Sequence, residues 1–434
     1  MDPNLVTVVC VAILLALIFL GCPIFVSLGT ASIIGIYILG GSIAVSRLPA
    51  IIFTHLDNFV LLAVPLFLLM GQVLFFSGIG EDLYTAGNTW LSGVRGGLAM
   101  ASTIACAIFG AMSGVSLAAA AAVGAFAIPE MRKKGYQPRF AAGTVAAAGA
   151  LAMLIPPSLL FILYGAMADV SVGKLFIGGI VPGIILAAMM CGYEWIAVKG
   201  NPEIAPMIMK QVSWKEKFLS LTRLWPALIL IFSVLGTIYI GFCTPTEAGA
   251  IGSVGSILVA LFIYRSLTWK KMRLIFNYTT RITSAVMIIY SSGVIFSVLL
   301  TMLKLPEKLA ELTVTLGLPG LLTIIIMNLM LILLGMFFDA ATAIVVTTPI
   351  VLPTIISLGY DPLWWGIILV LNLEMAVITP PVGMNLYTIK SIAEDISIGE
   401  IVRGSWPFLV VEAIALAIFV YFNDLTLWLP SLMG

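Results

Sequence analysis

The stretch "LAMLIPPSLLFILY" runs from Leu151 to Tyr164, and "EMAVITPPVGMNLY" runs from Glu374 to Tyr387. Each is an apolar run interrupted by two adjacent prolines, Pro156 and Pro157 in the first and Pro380 and Pro381 in the second. Proline removes its own amide and clashes with the carbonyl four residues back, which breaks a helix at a cost of about 3 kcal/mol or more. On that reckoning the first pair frees the carbonyls of Ala152 and Met153, and the second those of Ala376 and Val377. Unpaired carbonyls are expensive in hydrocarbon unless a cation or water takes them. A hard cation such as Na⁺ prefers oxygen ligands, so each break is a candidate cation seat.

The surrounding composition says where these breaks sit. Of 434 residues, 61% are hydrophobic and only 9% are charged, with a mean hydropathy of +1.17. Soluble domains carry about 25% charged residues. The chain is therefore expected to be an all-α polytopic membrane protein. A net charge of +1 excludes an electrostatic nucleic-acid binder. The five cysteines, Cys10, Cys22, Cys106, Cys191 and Cys243, stand singly in apolar runs and read as packing residues. The first run, Leu5 to Leu20, follows an acidic "MDPN" and lacks a small-residue cleavage site, so it reads as a membrane helix and not a signal peptide.

A hydrocarbon core about 30 Å thick needs about 20 apolar residues per helix. Ten segments meet this: 5–21, 23–44, 58–79, 141–165, 172–198, 224–241, 247–264, 277–302, 363–389 and 399–422. Four shorter ones, 97–112 with 117–130 and 319–337 with 343–357, are paired around the polar tips "MSGVS" and "FFDAAT". They read as two re-entrant hairpins, one entering from each side. With both termini outside, seventeen of the 21 basic residues face inward, including Arg132 to Lys134 and Lys210, and the positive-inside rule is met. The segment 200–223 reads as an amphipathic helix on the inner surface.

The chain also repeats itself. "GAMSGVSLAAAAAVGAFAIP" from Gly110 parallels "GMFFDAATAIVVTTPIVLP" from Gly335, and the Pro-Pro pairs follow in the same order. Asp169, Ser171 and Gly173 then match Asp395, Ser397 and Gly399. The two halves start on opposite sides of the membrane, which makes this an inverted repeat. That architecture places substrate and ion sites where discontinuous helices of the two halves meet. At the first tip the oxygen donors are Ser113, Gly114 and Ser116, with Ile155 and Ser158 at the adjoining break. At the second they are Gly335, Asp339 and Thr342, with Thr379, Val382, Gly383 and Asn385 at the break. Asp339 and Glu374 are acids inside membrane segments, which marks both as functional candidates. Asp339 reads either as an ion-site acid or as the cap of the second hairpin's outgoing arm. Glu374 reads either as functional or as an interhelical hydrogen-bond partner. The outgoing arms begin near 117 and 343 with their positive dipole ends at the tips. With Asn385, Gly383, Ser116 and Thr342 they could hold a carboxylate without a buried arginine.

"CTPTEAGAIGS" (Cys243 to Ser253) reads as a capping box, with Thr244 at N-cap, Pro245 at N1 and Glu247 at N3. His55 reads as an interfacial loop residue. An intramembrane protease is disfavoured, because "GAMSG" is one residue too long for GxSG and no HExxH occurs. No enzymatic activity is expected.

"FGAMSGVS", "IPPS", "TPPVG" and especially "TPTEAGA" resemble the large membrane subunit of tripartite ATP-independent periplasmic (TRAP) transporters, over essentially the whole chain. The resemblance is nearest to the sialic-acid members. It implies an ion-transporter fold in which a scaffold carries a mobile, elevator-type transport domain. It also implies Na⁺-driven uptake of an organic acid across the bacterial inner membrane, with sialic acid (N-acetylneuraminate) as the leading substrate. A C4-dicarboxylate, or a stand-alone Na⁺/anion symporter of the same fold, is the alternative. Implied partners are a small four-helix membrane subunit as a separate chain, a periplasmic binding protein and membrane lipid, with Na⁺ as coupling ion and no other cofactor. Sodium binding carries over to Ser113, Ser116, Ile155 and Ser158 in one half, and to Gly335, Thr379 and Val382 in the other. Gly114, Ala152, Asp339, Thr342 and Ala376 complete the candidate sodium set. In these terms the chain divides into scaffold helices (1–57), a first repeat (58–198), a surface helix with linking scaffold helices (199–276), a second repeat (277–422) and a periplasmic tail (423–434).

Overall fold

The computed structural model describes residues 3–206, 212–315 and 317–433. Every regular element among them is helical. Among the described residues eight helices are long and apolar enough to cross a bilayer, and Trp214–Leu221 with Trp225–Tyr239 adds a pair bent by 47°. Pro3–Phe19 and Pro362–Val377 are shorter. The latter gains its span from Met384–Ile392 beyond the break.

Both Pro-Pro pairs break their helices as expected. The first run ends at Leu154 and resumes at Leu159, and the second ends at Val377 and resumes at Met384. Both prolyl-prolyl bonds are cis. The two broken helices lie antiparallel. Asn385 Nδ2 donates to the Ala146 carbonyl, Glu374 lies against the backbone of Leu154, and Tyr164 Oη donates to the Pro362 carbonyl. These contacts step along one helix in the opposite order to the other. The repeat is thus inverted in space.

Each hairpin stops at a break. The arms Gly97–Ser113 and Ser116–Lys133 meet the first break, and Gly320–Gly335 and Ala340–Ser357 meet the second. Each broken helix continues past its tip, for 10 residues in the first case and 9 in the second. At 1.5 Å per residue that is roughly 14 Å of further helix. A tip that halts this far short of the end of its neighbour is re-entrant, even though Ala340–Ser357 passes a length test.

Small residues set these helices close. A β-carbon at Gly143 would lie 2.1 Å from the Gly404 carbonyl carbon, so Ile398–Tyr421 packs backbone-to-backbone on Pro138–Leu154. Gly110 and Gly149 seat the same half-helix against the two arms of the first hairpin at Ala152 and Ala120. The half-helix is itself rich in alanine, and its residues Ala141 to Ala152 are all buried. Without a strong hydrophobic drive in lipid, such close approach supplies the packing energy. The helix Trp269–Leu303 bridges the N-terminal helices and the second hairpin: Gly35 sits on Leu299, and Gly293 sits on Val345. Ser253 Oγ donates to the Leu66 carbonyl at 2.6 Å, pairing Pro245–Leu258 with Ala63–Ser77.

Several expectations are refined. The capping box is formed, with Thr244 N donating to Glu247 at 2.8 Å and Glu247 N donating to Thr244 Oγ1 at 3.3 Å. The surface helix is shorter than 200–223: it is Trp214–Leu221, held by Trp90 Nε1 donating to the Lys217 carbonyl. Residues 207–211, Lys210 among them, lie outside the described residues. His55 is exposed, but it sits in the helix Leu48–Leu56 and not in a loop, because Pro49 opens a helical turn there. Residues Asp424–Ser431 form a helix packed on Val172–Gly200 at Gly178.

Candidate ion and substrate site

The first junction is built from backbone. Gly114 closes the hairpin at φ +65°, and a β-carbon there would lie 2.2 Å from the Pro157 carbonyl oxygen. Only glycine meets both demands. The Leu159 amide donates to the Gly114 carbonyl at 3.4 Å, stitching tip to break. Ile155 is extended, at φ −74° and ψ 120°, and ends the half-helix. Pro156 and Pro157 have no amide to offer Ala152 and Met153. Ser158 caps the resumed helix by accepting from Phe161 N. Ser113 is 1% exposed, and its hydroxyl has no partner among the described residues. A buried hydroxyl left unpaired costs free energy unless something binds it.

The second junction is satisfied differently. The Val382 amide donates to the Met336 carbonyl at 3.3 Å, again stitching break to tip. Asp339 is the N-cap of Ala340–Ser357 and accepts from both the amide and the hydroxyl of Thr342. The structure therefore places Asp339 in its capping role, half-buried. Thr379 turns inward: its hydroxyl donates to the Met375 carbonyl at 2.5 Å and its amide to Ala376 at 3.1 Å. This corrects the expectation that Pro380 and Pro381 leave the Ala376 carbonyl free. A tight turn at the helix end captures it, and of the pair only Val377 is denied a donor by the prolines. Gly335 packs on Ala376, and Gly383 takes φ +52° to start the last half-helix.

The two junctions meet. Ser116 Oγ donates to Asn385 Oδ1 at 3.2 Å, and Asn385 Nδ2 reaches the Ala146 carbonyl at 3.0 Å. Ser116 opens one hairpin arm and Asn385 opens one resumed half-helix, so helix N-termini of both halves converge there. That end of a helix favours anions. Asn385 is fully buried with both ends of its amide engaged.

Residues 11–425 match the family model described as "Tripartite ATP-independent periplasmic transporter, DctM component". The chain belongs to this family. It is 36% identical to the C4-dicarboxylate TRAP transporter large permease protein DctM of Pseudomonas aeruginosa, over 88% of this chain and 89% of that one. It is 31% identical to the sialic acid TRAP transporter large permease protein SiaM of Vibrio cholerae, over 96% of this chain and 97% of that one. In fold it is similar to the Alcanivorax borkumensis YdaH transporter, at TM-score 0.62 and 13% identity, covering 93% of this chain and 98% of that one. As a TRAP large permease it is a transport protein and not an enzyme.

Sequence reasoning about this TRAP permease singled out Glu374 but missed two other buried acids. Glu374, Glu412 and Glu194 are all fully buried. Glu194 accepts from Thr103 at 2.5 Å. Glu374 lies against the Leu154 backbone of the neighbouring half-helix. The rule that flagged Glu374, an acid inside an apolar span, applies equally to Glu194 and Glu412.

Proposed function

We propose that this TRAP permease takes up a small organic acid, a sialic acid or a C4-dicarboxylate, by Na⁺-coupled elevator movement. The reading places it in the bacterial inner membrane with both termini periplasmic. A periplasmic binding protein delivers the substrate and a small membrane subunit completes the scaffold. The observation that carries it is the meeting of two inverted tip–break junctions through Ser116 and Asn385.

In this reading Na⁺ binds between Ser113, Gly114, Ser116, Ala152, Ile155 and Ser158 on one side. A second Na⁺ binds among Gly335, Asp339, Thr342, Ala376, Thr379 and Val382 on the other. The partnerless Ser113 hydroxyl supports the first set. In the second set backbone carbonyls carry more of the ligation, because Thr379 is already bonded. The substrate carboxylate lies near Asn385, Gly383, Ser116 and Thr342, facing helix N-termini. Each Na⁺ entering down a tenfold gradient supplies about 1.4 kcal/mol, plus about 2.3 kcal/mol per 100 mV. Two Na⁺ carrying a monovalent anion leave roughly 5 kcal/mol, enough for several thousandfold accumulation.

The test is uptake of labelled sialic acid and C4-dicarboxylates into proteoliposomes, with the small subunit and candidate binding proteins added or withheld. Uptake that requires both partners and an inward Na⁺ gradient is expected. Transport by this chain alone would discard the tripartite reading, and indifference to Na⁺ would discard the coupling.

A further inference from the structure

Away from the two junctions, an apolar slot of about 280 Å³ opens between the N-terminal helices and the second hairpin. Pro3–Phe19 lines it with Thr7, Cys10, Val11 and Leu14. Trp269–Leu303 lines it with Phe296, Leu299, Leu300 and Leu303. Both sets keep the spacing of a single helix face, so the slot runs along the helix axes. At 1.5 Å per residue the stretch from Thr7 to Leu14 is about 10 Å long. A β-carbon at Gly35 would lie 2.6 Å from Cys10 Sγ and 2.7 Å from Leu299 Cδ1, so Ile24–Ser46 holds both walls close. Ile350 brings the outgoing arm of the second hairpin into the lining.

The slot offers a ligand almost no polar contact. Thr7 carries the one hydroxyl in its wall, and that hydroxyl donates to the Pro3 carbonyl at 2.9 Å. Apolar cavities of about 150 Å³ already stay dry and take apolar ligands. A helix, about 10–12 Å across with its side chains, is too wide to enter. Charge gathers at one end only. Lys304 follows directly on Leu303, exposed, and its ammonium has no partner among the described residues. Lys308 Nζ donates to Asn4 Oδ1 at 3.1 Å, at the start of the helix that carries Thr7. On Leu305–Thr315 the leucines Leu305 and Leu309 face the slot, whereas Glu307 stands on the opposite side of the turn.

We propose that this slot is a phospholipid site, with one acyl chain lying between Pro3–Phe19 and Trp269–Leu303 and the phosphate at Lys304 and Lys308. Bilayer chains run in the same direction as spanning helices, so a slot along the helix axes admits a chain end-on from the headgroup level. Lysines at that level attract anionic headgroups. The topology proposed above makes this the periplasmic end. A lodged chain fills the gap between the N-terminal helices and the outgoing arm of the second hairpin, and ties that arm to them. The site is independent of the sodium and substrate reading of the junctions.

Photolabelling of the full chain in phosphatidylcholine bilayers tests it, using a trace of phosphatidylglycerol with a diazirine in one acyl chain. The expected result is labelling concentrated between Thr7 and Leu14 and between Phe296 and Leu303. It should exceed that of exposed apolar residues such as Ile184 and Phe232, and unlabelled phosphatidylglycerol should compete it away. Lys304→Gln should lower it about fivefold at low salt. Ala31→Phe, which fills the slot, should lower it further. Labelling spread evenly over the exposed faces, or unchanged in both variants, overturns the proposal. Labelling that vanishes when the small membrane subunit is added also overturns it and gives the slot to a partner side chain. If Ala31→Phe fails to fold, the exposed Lys304→Gln and the competition arm still decide between these outcomes.

Discussion

The two tip–break junctions start from the same chemistry and end in different states. At the first, Pro156, Pro157 and Ser158 are buried, and the tip hydroxyl of Ser113 is unbonded. At the second, Pro381 and Val382 are exposed, and the available hydroxyls of Thr342 and Thr379 are tied to Asp339 and Met375. Covering helices account for the contrast. Gly71 brings Ala63–Ser77 onto Ser113, and Gly183 brings Val172–Gly200 onto Ile155. A proline pair opens a helix, but its neighbours decide whether the oxygens stay available.

The largest expected effect breaks the first junction outright. Gly114→Val forces a β-branched residue into φ +65° against the Pro157 carbonyl and should abolish folded protein, read as loss of the monodisperse peak in detergent. Gly335→Ala sets its new β-carbon against side chains, the Ala376 methyl at 2.5 Å and Leu373 Cδ2 at 3.4 Å. It should leave folded protein recoverable, with a cost of about 1–3 kcal/mol for overpacking. Equal losses in both would refute the claim that the first junction is the tighter.

Severing the bridge between the junctions comes next. Asn385→Ala leaves the Ser116 hydroxyl and Ala146 carbonyl without their partner and should destabilise the chain by about 1–3 kcal/mol, measured by thermal unfolding. The variant should also lose uptake.

A subtler pair sharpens the sodium reading. Ser113→Ala should raise the Na⁺ concentration for half-maximal uptake severalfold. Thr379→Val should do so less, because its hydroxyl already serves Met375. The reverse order would transfer side-chain ligation to the second junction.

The smallest effect concerns the ends of the broken helices. Asp169 ends the first at φ +54°, whereas its counterpart Asp395 pairs with Arg132 at 2.6 Å. The Arg132 guanidinium holds the Asp395 carboxyl below its usual range. Its contribution is therefore present above the ordinary carboxylate range and fades as pH falls through the lowered folded value. Arg132→Gln should slightly flatten the acid limb of stability, with little change at neutral pH, since exposed pairs contribute little.

Much of this molecule is legible in order along the chain. Hydropathy and the Pro-Pro pairs mark the spans and the breaks, because lipid tolerates neither charge nor unpaired backbone. The capping box at Thr244 and Glu247 is local chemistry within four residues, and it is formed as read. Helix ends such as Leu48–Leu56 were harder, because a short apolar helix and a loop share the same composition.

What tertiary structure alone decided is which oxygen atoms remain for a ligand. Nothing in "EMAVITPPVG" says that Thr379 will capture the Met375 carbonyl, or that Asn385 will spend its amide on Ser116 and Ala146, 269 and 239 residues away. Sequence sets where a helix must fail, since that depends on one residue and its neighbour four back. Where the exposed groups find partners depends on close approach between distant segments, and only the packed chain supplies that.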